Sequence, residues 1–427
     1  MALGLSRDLR QMRDAEELAP RGQSPQLLAD GPARVSADAG VDLVEDEHAV
    51  AAGTRCPEQC EHHPRQLTTG GRLAQRRRRH PGIRCDQELD GVRAAASRLA
   101  GGERIEYDVL VIASGATLLY EETEGLLGPG WQETVHGFYS VDDAVALQRA
   151  LSHFGGGRLV INPIDMPIKC PVAPLEFAFL ADWFLRERGL RHRVEIVYAT
   201  PLDAAFTKPV AAARLAGMLA AKEIRIEPEF ATGQVDAAAG RVVSWDERAI
   251  EFDLLVTVPL HGGAPFVSRS PGLGDDLGFV AVDVHTLQSR VAPNVFAIGD
   301  AASLPTSKAG SATHFEAETL CANVERVLAG EEPEGSYDGH VNCFIESGFQ
   351  KALMIDFNYE VEPLPGRYPE PHLGPLSLLR ESRLNHLGKL AFEPLYWHVL
   401  LPGRGIPGVG AELSMAGRQA PDQGGDQ

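Results

Sequence analysis

The first hundred residues lack the side chains that build a hydrophobic core. All 16 Phe, 8 Tyr and 4 Trp of the chain lie after residue 100, and residues 1–100 contain no Lys and a single Ile, Ile83. Arg is abundant in the same segment, which includes the run Arg76 to Arg79. A segment without aromatic side chains buries little apolar surface, and no helical or strand periodicity is sustained in it. We expect residues 1–100 to be atypical and poorly folded.

Other absences exclude whole classes of protein. No run of eighteen apolar residues exists, so we expect no segment that spans a bilayer. The six Cys in 427 residues are too few for a disulfide scaffold. The net charge of −19 argues against a nucleic-acid partner. No secretory signal is visible in the range 1–13. With 44% hydrophobic and 23% charged residues, the composition is typical of a cytoplasmic globular protein.

The residues from Gly157 to Glu176 predict a strand, a turn and a helix. Residues 158–162 form a short apolar run behind three glycines, and an apolar helix is expected over 174–187 with Pro174 in its first turn. At this place a nucleotide-binding domain carries G-x-G-x-x-G, so that the helix N-terminus holds a pyrophosphate. Here Cys170 stands before the helix, beside Lys169. A helix dipole and a neighbouring cation stabilise a thiolate, so we expect a reactive sulfur.

The chain alternates strands and helices after residue 104, which predicts a doubly wound parallel sheet. The expected elements are strand 105–112, strand 194–198, helix 208–222, strand 224–227 and helix 313–328. Residues 233–258 are expected to form an antiparallel excursion with short strands at 241–245 and 252–256.

Two motifs resemble those of two-dinucleotide-binding-domain flavoproteins. The strand from Ile105 ends in the small-residue turn Ser114-Gly115, which is similar to the "ATG" segment of that superfamily. The segment from Asn294 ends in Gly299-Asp300, which is similar to its second flavin motif. The resemblance implies an α/β fold with two Rossmann-like domains and a bound FAD, whose ribityl chain donates hydrogen bonds to the Asp300 carboxylate. It also implies a G-x-G-x-x-G near the start of the chain, which is absent.

That absence leaves two interpretations of the start of the chain. Residues 1–103 are either a disordered or regulatory arm, or the product of a reading-frame error where the first FAD-binding strand should be. The predicted organisation is the atypical segment 1–103, an FAD-binding remainder at 104–150 and 285–335, a second Rossmann-like domain at 151–284, and a C-terminal region at 336–427.

A more specific resemblance is to the sulfide:quinone oxidoreductases, over roughly residues 104–415. It rests on Cys170 in Ile-Lys-Cys-Pro-x-Ala-Pro, Cys343 in Tyr-x-Gly-x-x-x-Cys-Phe, the Lys308-Ala-Gly segment and His314-Phe-Glu. The resemblance implies that Cys170 and Cys343 form a disulfide or sulfur-bridged pair beside the flavin, on the face away from the quinone. Some members carry a third redox cysteine, but the matching stretch 121–140 contains none.

The residue types fit sulfide chemistry. Hydrosulfide attacks a disulfide and leaves a persulfide on one cysteine and a thiolate on the other, which passes two electrons to FAD. Which of Cys170 and Cys343 carries the persulfide stays open. Glu176, on the helix that follows Cys170, is the candidate proton-transfer group, with a solvated surface carboxylate as the alternative. Lys308 is expected to contact the flavin ring, with a surface lysine as the alternative.

The remaining cysteines and His314 have simpler interpretations. Cys321 is expected in the core on helix 313–328, and His314 is expected to be a structural residue of that helix. Cys56, Cys60 and Cys85 lie in the atypical segment without a convincing metal-ligand spacing, so no metal site is predicted.

The tail suggests the electron acceptor. Residues 376–401 place apolar side chains at helical spacing with basic residues alongside, which is typical of a helix at a membrane interface or of one packed on a core. The resemblance favours the membrane, and it implies a peripheral protein on the cytoplasmic side that admits quinone. Candidates for an aromatic quinone clamp are Phe344, Phe357, Tyr396 and Trp397. A homo-oligomer is compatible with the sequence.

Three alternative functions remain at this point. A flavoprotein sulfide dehydrogenase would deliver its electrons to cytochrome c instead of quinone, and it would need export. A type II NADH dehydrogenase would need the phosphate loop that is missing at 157–170. If residues 1–100 are translated as written, the chain is a non-catalytic remnant that lacks the pyrophosphate site and binds no FAD.

Overall fold

The structure, a computed structural model, describes residues 95–98, 104–370 and 374–419. Its strands are β1 (Ala95–Arg98), β2 (Arg104–Tyr107), β3 (Leu110–Ile112), β4 (Thr117–Leu119), β5 (Val135–His136), β6 (Gly157–Pro163), β7 (Val194–Ala199), β8 (Ile224–Glu227), β9 (Thr232–Asp236), β10 (Arg241–Ser244), β11 (Ala249–Glu251), β12 (Leu254–Val258), β13 (Leu260–Gly262), β14 (Val280–Ala281), β15 (Val295–Ala297), β16 (Ala302–Ser303), β17 (Val341–Gly348), β18 (Lys351–Phe357), β19 (Gly366–Tyr368) and β20 (Leu376–Leu378). Its helices are α1 (Val141–His153), α2 (Ala173–Glu187), α3 (Pro209–Ala221), α4 (Pro265–Ser268), α5 (Gly310–Leu328) and α6 (Arg383–Leu395). The predicted α/β class is confirmed.

The centre of the fold is a parallel five-stranded sheet in the order β5-β12-β6-β7-β8. The chain runs from β6 through α2 to β7 and through α3 to β8, and then returns to the other side of β6 as β12. The strand order therefore reverses between β6 and β12. In open α/β sheets such a switch point leaves a crevice outside the carboxyl ends of the two strands, where ligands bind.

The structure corrects one predicted strand. Residues 252–256 were expected in an antiparallel excursion, but β12 lies parallel between β5 and β6, with all five of its residues buried. An uninterrupted apolar strand is typical of a parallel sheet that is covered on both faces. The antiparallel excursion consists only of β9, β10 and β11.

The start of β6 depends on glycine. Gly157 has a φ of 110°, and a Cβ at this position would collide with the carboxylate of Asp253. The same carboxylate accepts a 2.6 Å hydrogen bond from the backbone N–H of Arg158. Because Asp253 directly precedes β12, this contact aligns the entry of β6 with that of β12.

The first unit is described only in part. Its parallel pair β3–β15 brings the segments Ser114-Gly115 and Gly299-Asp300 to the same edge, because both follow the carboxyl ends of these strands. The predictions for residues 1–94 and 99–103, including the reading-frame error, lie outside the described residues. Residues 95–98, where no strand was expected, pair antiparallel with β2.

Strand pairing crosses the predicted unit boundaries at 151 and 284. β5, before the predicted boundary at 151, belongs to the central sheet. β13 and β14, before the predicted boundary at 284, pair with β4 and β16 of the first unit.

The C-terminal region covers α2 from the side opposite the central sheet. Its sheet has the order β17-β18-β20-β19, and β17 packs directly on α2. Residues from α2, β6, β17 and β18 belong to one buried cluster. This double burial explains why α2 is apolar around nearly its whole circumference.

The tail differs from its predicted helix. Leu376–Leu378 forms β20, Leu379 has a φ of 52°, and α6 begins only at Arg383, where the Ser382 side chain accepts a hydrogen bond from the Asn385 N–H. A left-handed residue and a serine N-cap end one element and begin another. Within the part of the chain that the structure describes, we find no helix with the length and apolar character needed to cross a membrane.

The central position of β12 can be tested by its stability. Leu255 is fully buried in β12, so Leu255→Ala should reduce the free energy of unfolding by about 2–5 kcal/mol through lost burial and a residual cavity. Urea denaturation followed by circular dichroism measures this loss. The control Leu277→Ala, at a half-exposed position, should change stability by less than about 0.5 kcal/mol. Equal losses would contradict the central position of β12.

Candidate functional site

Cys170 lies in the switch-point crevice, on the loop between β6 and α2. It is half-buried and has a φ of 51°, a left-handed conformation that is uncommon for residues other than glycine. Its N–H donates a 2.6 Å hydrogen bond to the Lys308 carbonyl. Its own carbonyl accepts hydrogen bonds from the Ala173 N–H, at 2.9 Å, and from the Tyr139 hydroxyl, at 3.2 Å. The position of Cys170 is therefore fixed through its backbone.

Cys343 lies on β17 and is also half-buried. It pairs with Ile355 of β18 and faces the same side of the hairpin as Ile345, as the predicted alternation requires. Cys170 and Cys343 both pack against the buried cluster that contains α2. The C-terminal hairpin and the crevice loop thus bring the two predicted redox cysteines to one core.

The N-terminus of α5 connects the two cysteine segments. The Lys308 carbonyl, just before α5, holds Cys170, and the Ser311 hydroxyl donates a 2.6 Å hydrogen bond to the carbonyl of Asn342, the neighbour of Cys343. The N-cap residue, Ala309, offers no side chain to the first-turn N–H groups. The first-turn N–H groups and the positive end of the dipole at a helix N-terminus stabilise anions, including thiolates.

The predicted flavin residues form an edge that fits the ribityl and ring half of FAD. The hydroxyl of Ser114 is buried without a hydrogen-bond partner among the described residues, and a Cβ built on Gly115 would meet nothing within 4 Å. Burial raises the pKa of Asp300, although Lys308 and Lys169 oppose this shift. The buried Ser114 hydroxyl and the Asp300 carboxylate can form hydrogen bonds with a polyol chain, and the free space beside Gly115 leaves room for it.

Glu316 of α5 fixes the turn at Gly299. Gly299 has a φ of 66°, and its N–H donates a 2.6 Å hydrogen bond to Glu316 of α5. Burial raises the pKa of Glu316 to about 7. A small cleft above this turn is lined by Gly299, Lys308, Thr313 and Glu316 among other residues.

Lys308 is buried, which excludes the surface alternative. Its ammonium donates hydrogen bonds to the carbonyls of Asp300, at 2.8 Å, and Ala302, at 2.9 Å, and it lies 3.7 Å from the centre of the Phe279 ring. Burial lowers the pKa of Lys308 to about 8. The ammonium therefore stabilises the Gly299-Asp300 turn.

Glu176 is not a solvated carboxylate, since it is only 2% exposed. Its two oxygens accept hydrogen bonds of 2.7 and 2.9 Å from Lys389 of α6. Burial raises the pKa of Glu176 to about 7, while the charge and hydrogen bond of Lys389 oppose this shift. Lys389 was not among the predicted site residues, because the contact joins α2 to a helix more than two hundred positions away.

A second buried pair lies beside the first. His386, one turn before Lys389, contacts Glu346 of β17 at 2.8 Å. Asn385 is also buried on α6, where its amide donates to the carbonyls of Ser377 and Arg380. The side of α6 that packs on the protein is therefore polar.

Two further residues of the crevice were not predicted from the sequence. Tyr139 is buried and links the crevice to Cys170 through its hydroxyl. His261, on β13, is buried with its ring edge-on to Tyr139 at 5.4 Å between ring centres. The place of His261, shortly after the buried strand β12, is the only sequence signal that could have indicated it, through the rule that sites lie at the carboxyl ends of strands.

The four proposed quinone residues do not come together in one cluster. Phe357 is buried against Phe206 on the cysteine-bearing face of the hairpin, whereas Phe344 lies on the opposite face with Met354 and Leu378. Tyr396 and Trp397 contact each other after the end of α6, with ring centres 5.4 Å apart. Phe357 is therefore not placed to share a clamp with Phe344.

The two simpler predictions for α5 can also be compared with the structure. Cys321 is half-buried instead of lying in the core. His314 is also half-buried, edge-on to Phe315.

Known proteins with similar sequences include sulfide:quinone oxidoreductases. The mitochondrial sulfide:quinone oxidoreductase of Mus musculus is 27% identical over 313 residues, covering 72% of this chain and 68% of the relative. That of Schizosaccharomyces pombe is 30% identical over 315 residues, covering 70% and 66%. The X-ray structure of sulfide:quinone oxidoreductase from Aquifex aeolicus has a TM-score of 0.60 at 18% identity and covers 74% of each chain, which shows a shared fold. No family model matches the sequence.

The Glu176–Lys389 pair predicts a pH-dependent stability. Because the pKa of Glu176 is raised from 4.5 to about 7, the folded state retains a proton that the unfolded state has lost, and this contribution to stability falls as pH rises through that range. Lys389→Met should cost about 3–5 kcal/mol at pH 8, where it leaves a buried unpaired carboxylate. At pH 5 the carboxyl is neutral and the cost should be smaller. Urea denaturation at both pH values measures the difference.

The matched control is the double variant Glu176→Gln with Lys389→Met, which has neither charge and should lose the pH dependence of the single variant. A loss of stability by Lys389→Met that is equal at pH 5 and pH 8 would show that Glu176 does not titrate in this range.

Proposed function

This chain is a homologue of the sulfide:quinone oxidoreductases, and we propose that it oxidises sulfide to sulfane sulfur with FAD and passes the electrons to a membrane quinone. The observation that carries the proposal is the common attachment of both cysteine segments to the N-terminus of α5, through the Lys308 carbonyl and Ser311. One helix end then stabilises thiolates on either side of it. Cys170 and Cys343 are the proposed redox pair.

In the proposed reaction the protein sites alternate between a sulfur-bridged pair and a persulfide with a thiolate. Hydrosulfide attacks one sulfur of the oxidised pair, and the other cysteine leaves as a thiolate. Bound FAD supplies a two-electron acceptor that a quinone reoxidises. Ser114, Gly115, Gly299 and Asp300 would hold the ribityl and ring half of FAD, and Lys308 keeps the Gly299-Asp300 turn in place.

Glu176 is the proposed proton-transfer group. A carboxyl whose pKa lies at about 7 can take and release a proton at neutral pH. Lys389 holds both of its oxygens and stabilises the charged form. Because Glu176 lies in the first turn of α2, the helix that follows Cys170, proton transfer there would accompany redox changes of the cysteine pair.

The Glu176 carboxylate also argues against NAD(P)H as the electron donor. In a dinucleotide-binding domain the pyrophosphate lies at the N-terminus of the helix after the first strand. Here the first turn of α2 is buried and contains an acidic side chain. A pyrophosphate at this position would meet a folded loop and a negative charge.

The outer side of α6 supports a membrane contact. Polar residues of α6 face the protein. Three of its leucines are exposed to solvent, with exposed fractions of 50% for Leu384, 56% for Leu387 and 38% for Leu390. Apolar side chains that face outward, followed by an exposed Trp397, suit the interface of a bilayer. We infer that the protein is peripheral on the cytoplasmic side of the membrane and binds it through this surface, defined by Leu384, Leu387, Leu390 and Trp397.

The proposed quinone site lies at the same helix. Phe344 lies beside Gly388 of α6, where a Cβ would come within 3.4 Å of its ring, and Phe392 stacks on Tyr396. Phe344, Tyr396 and Trp397 remain the aromatic candidates, while the core position of Phe357 gives it a packing role. A quinone entering from the bilayer would approach the protein along α6.

The competing functions differ in measurable ways. A flavoprotein sulfide dehydrogenase would reduce cytochrome c, and a non-catalytic remnant would be colourless after purification. Assays with sulfide as donor and a soluble quinone analogue, cytochrome c or NADH as partner separate these possibilities. Sulfide-dependent reduction of the quinone alone is the expected result.

The redox pair predicts the effect of serine substitutions. Cys170→Ser and Cys343→Ser should each lower sulfide-dependent quinone reduction by at least about a thousandfold, because no disulfide can then form for hydrosulfide to attack. Stopped-flow absorbance of the flavin and steady-state quinone reduction measure the loss.

The matched control is Cys321→Ser on α5, which should retain activity. Retained sulfide oxidation in either of the first two variants would contradict the assigned redox pair.

The membrane surface predicts a loss of lipid binding. Leu384→Gln combined with Leu387→Gln should lower partitioning onto phospholipid vesicles by about tenfold or more, because two exposed leucine side chains no longer enter the interface. Vesicle flotation measures partitioning. Leu277→Gln, a half-exposed leucine outside this surface, is the control. Unchanged flotation of the double variant would argue against this surface.

A further inference from the structure

His261 stands at the second strand of the switch point. Cys170 follows β6, and His261 follows β12, the strand that pairs with β6 on the side where the order reverses. β13, which carries His261, pairs antiparallel with β4 and so connects the second unit to the segment after Gly115. The proposed reaction gives His261 no role.

The hydrogen-bond partners of His261 determine its tautomer. Nδ1 lies 2.9 Å from the Pro259 carbonyl. A carbonyl oxygen can only accept, so Nδ1 carries the hydrogen and donates it. In the neutral ring Nε2 is then the nitrogen with the lone pair. This atom is buried, and within the described part of the chain it has no hydrogen-bond partner.

The surroundings hold His261 in its neutral form. Burial is the main cause that lowers the pKa of His261 to about 4. The positive charges of Lys169 and Lys308 contribute to this shift, and the hydrogen bond to Pro259 opposes it. Lys169 neighbours Cys170, and the backbones of Lys169 and Lys308 form a bridge. Nε2 is therefore a buried hydrogen-bond acceptor on a ring that packs edge-on to Tyr139 and is influenced by the charges of Lys169 and Lys308.

We propose that Nε2 of His261 accepts the hydrogen of the hydrosulfide ion that attacks the Cys170–Cys343 pair, and that His261 selects for a nucleophile carrying a hydrogen. This inference rests on the proposed sulfide oxidation. A ligand that binds beside Nε2 of His261 should carry a negative charge, which complements Lys169 and Lys308. It should also carry a hydrogen that it can donate to Nε2. Hydrosulfide meets both with two atoms.

The step balances without a further reagent. The hydrosulfide sulfur forms a bond to one cysteine sulfur while the bond between the cysteines breaks, and the second cysteine leaves with the electron pair as a thiolate. The sulfide sulfur is oxidised as the disulfide is reduced. The hydrogen stays on the outer sulfur of the new persulfide, where Nε2 continues to accept it.

Two substitutions of His261 test the roles of its two ring nitrogens separately. His261→Asn retains a donor at the place of Nδ1, and so the contact with Pro259, but has no acceptor at the place of Nε2. His261→Gln places an amide oxygen near the Nε2 position. Sulfite is the control nucleophile, because it attacks disulfides as an anion that has no hydrogen in its dianionic form.

The experiment measures thiol release directly. Purified protein is oxidised with diamide, treated with sulfide or sulfite at pH 8, and labelled with a maleimide, so that mass spectrometry gives the rate at which Cys170 or Cys343 becomes a thiol. The readout needs no turnover and can be repeated after flavin removal. His261→Asn should slow the reaction with sulfide by roughly 5- to 100-fold, the range for an unmade buried hydrogen bond. His261→Gln should recover part of this loss, and the rate with sulfite should change by less than about twofold.

Each other outcome has a defined meaning. Equal slowing with sulfide and sulfite would assign His261 a purely structural role and overturn the inference, as would an unchanged rate with sulfide in His261→Asn. If neither sulfide nor sulfite releases a thiol at Cys170 or Cys343 of the wild-type protein, the proposed redox pair is refuted instead.

Discussion

The hydrogen bond from the Cys170 N–H to the Lys308 carbonyl is the contact on which the site depends. It joins the crevice loop of the second unit to the segment that begins α5, and Lys308 at the same time holds the Gly299-Asp300 turn through its ammonium. One residue therefore sets the position of Cys170, the first proposed redox cysteine, relative to the predicted flavin edge. The left-handed backbone of Cys170 is tolerated because both its N–H and its carbonyl are engaged.

The helix α6 combines two properties that would conflict in an ordinary amphipathic helix. Its inward side provides partners for two buried carboxyl groups, Lys389 for Glu176 and His386 for Glu346. Leu384, Leu387 and Leu390 are thereby left on the outer side. A helix with this inverted pattern gains little from burying apolar surface against its own protein, so ion pairs and hydrogen bonds hold it there. The group that controls the protonation of Glu176 and the surface proposed to meet the bilayer are thus parts of one element.

Much of the fold follows from local patterns, and the site follows only in part. The buried run at 158–162 and the apolar helix after it are visible in the sequence because their periodicity is local. β12 was misassigned because an apolar run of five residues does not reveal whether its neighbours are parallel. Phe357 was grouped with Phe344 by residue type, although an odd separation along two paired strands places them on opposite faces. Lys389, Tyr139 and His261 escaped prediction because each acts through contacts between distant segments.

The switch point explains why these changes occur together. A dinucleotide-binding crevice needs a glycine loop and a helix N-terminus free to receive a pyrophosphate. Once Cys170 occupies the loop, the first turn of α2 is buried by the C-terminal hairpin that carries Cys343, and an acidic residue can lie there if a cation reaches it. Glu176 and Lys389 meet that condition. At the neighbouring strand end, Nε2 of His261 is buried and has no hydrogen-bond partner among the described residues. The buried acidic first turn of α2 therefore argues against a nucleotide, and the acceptor of His261 suits the small anion proposed for this site.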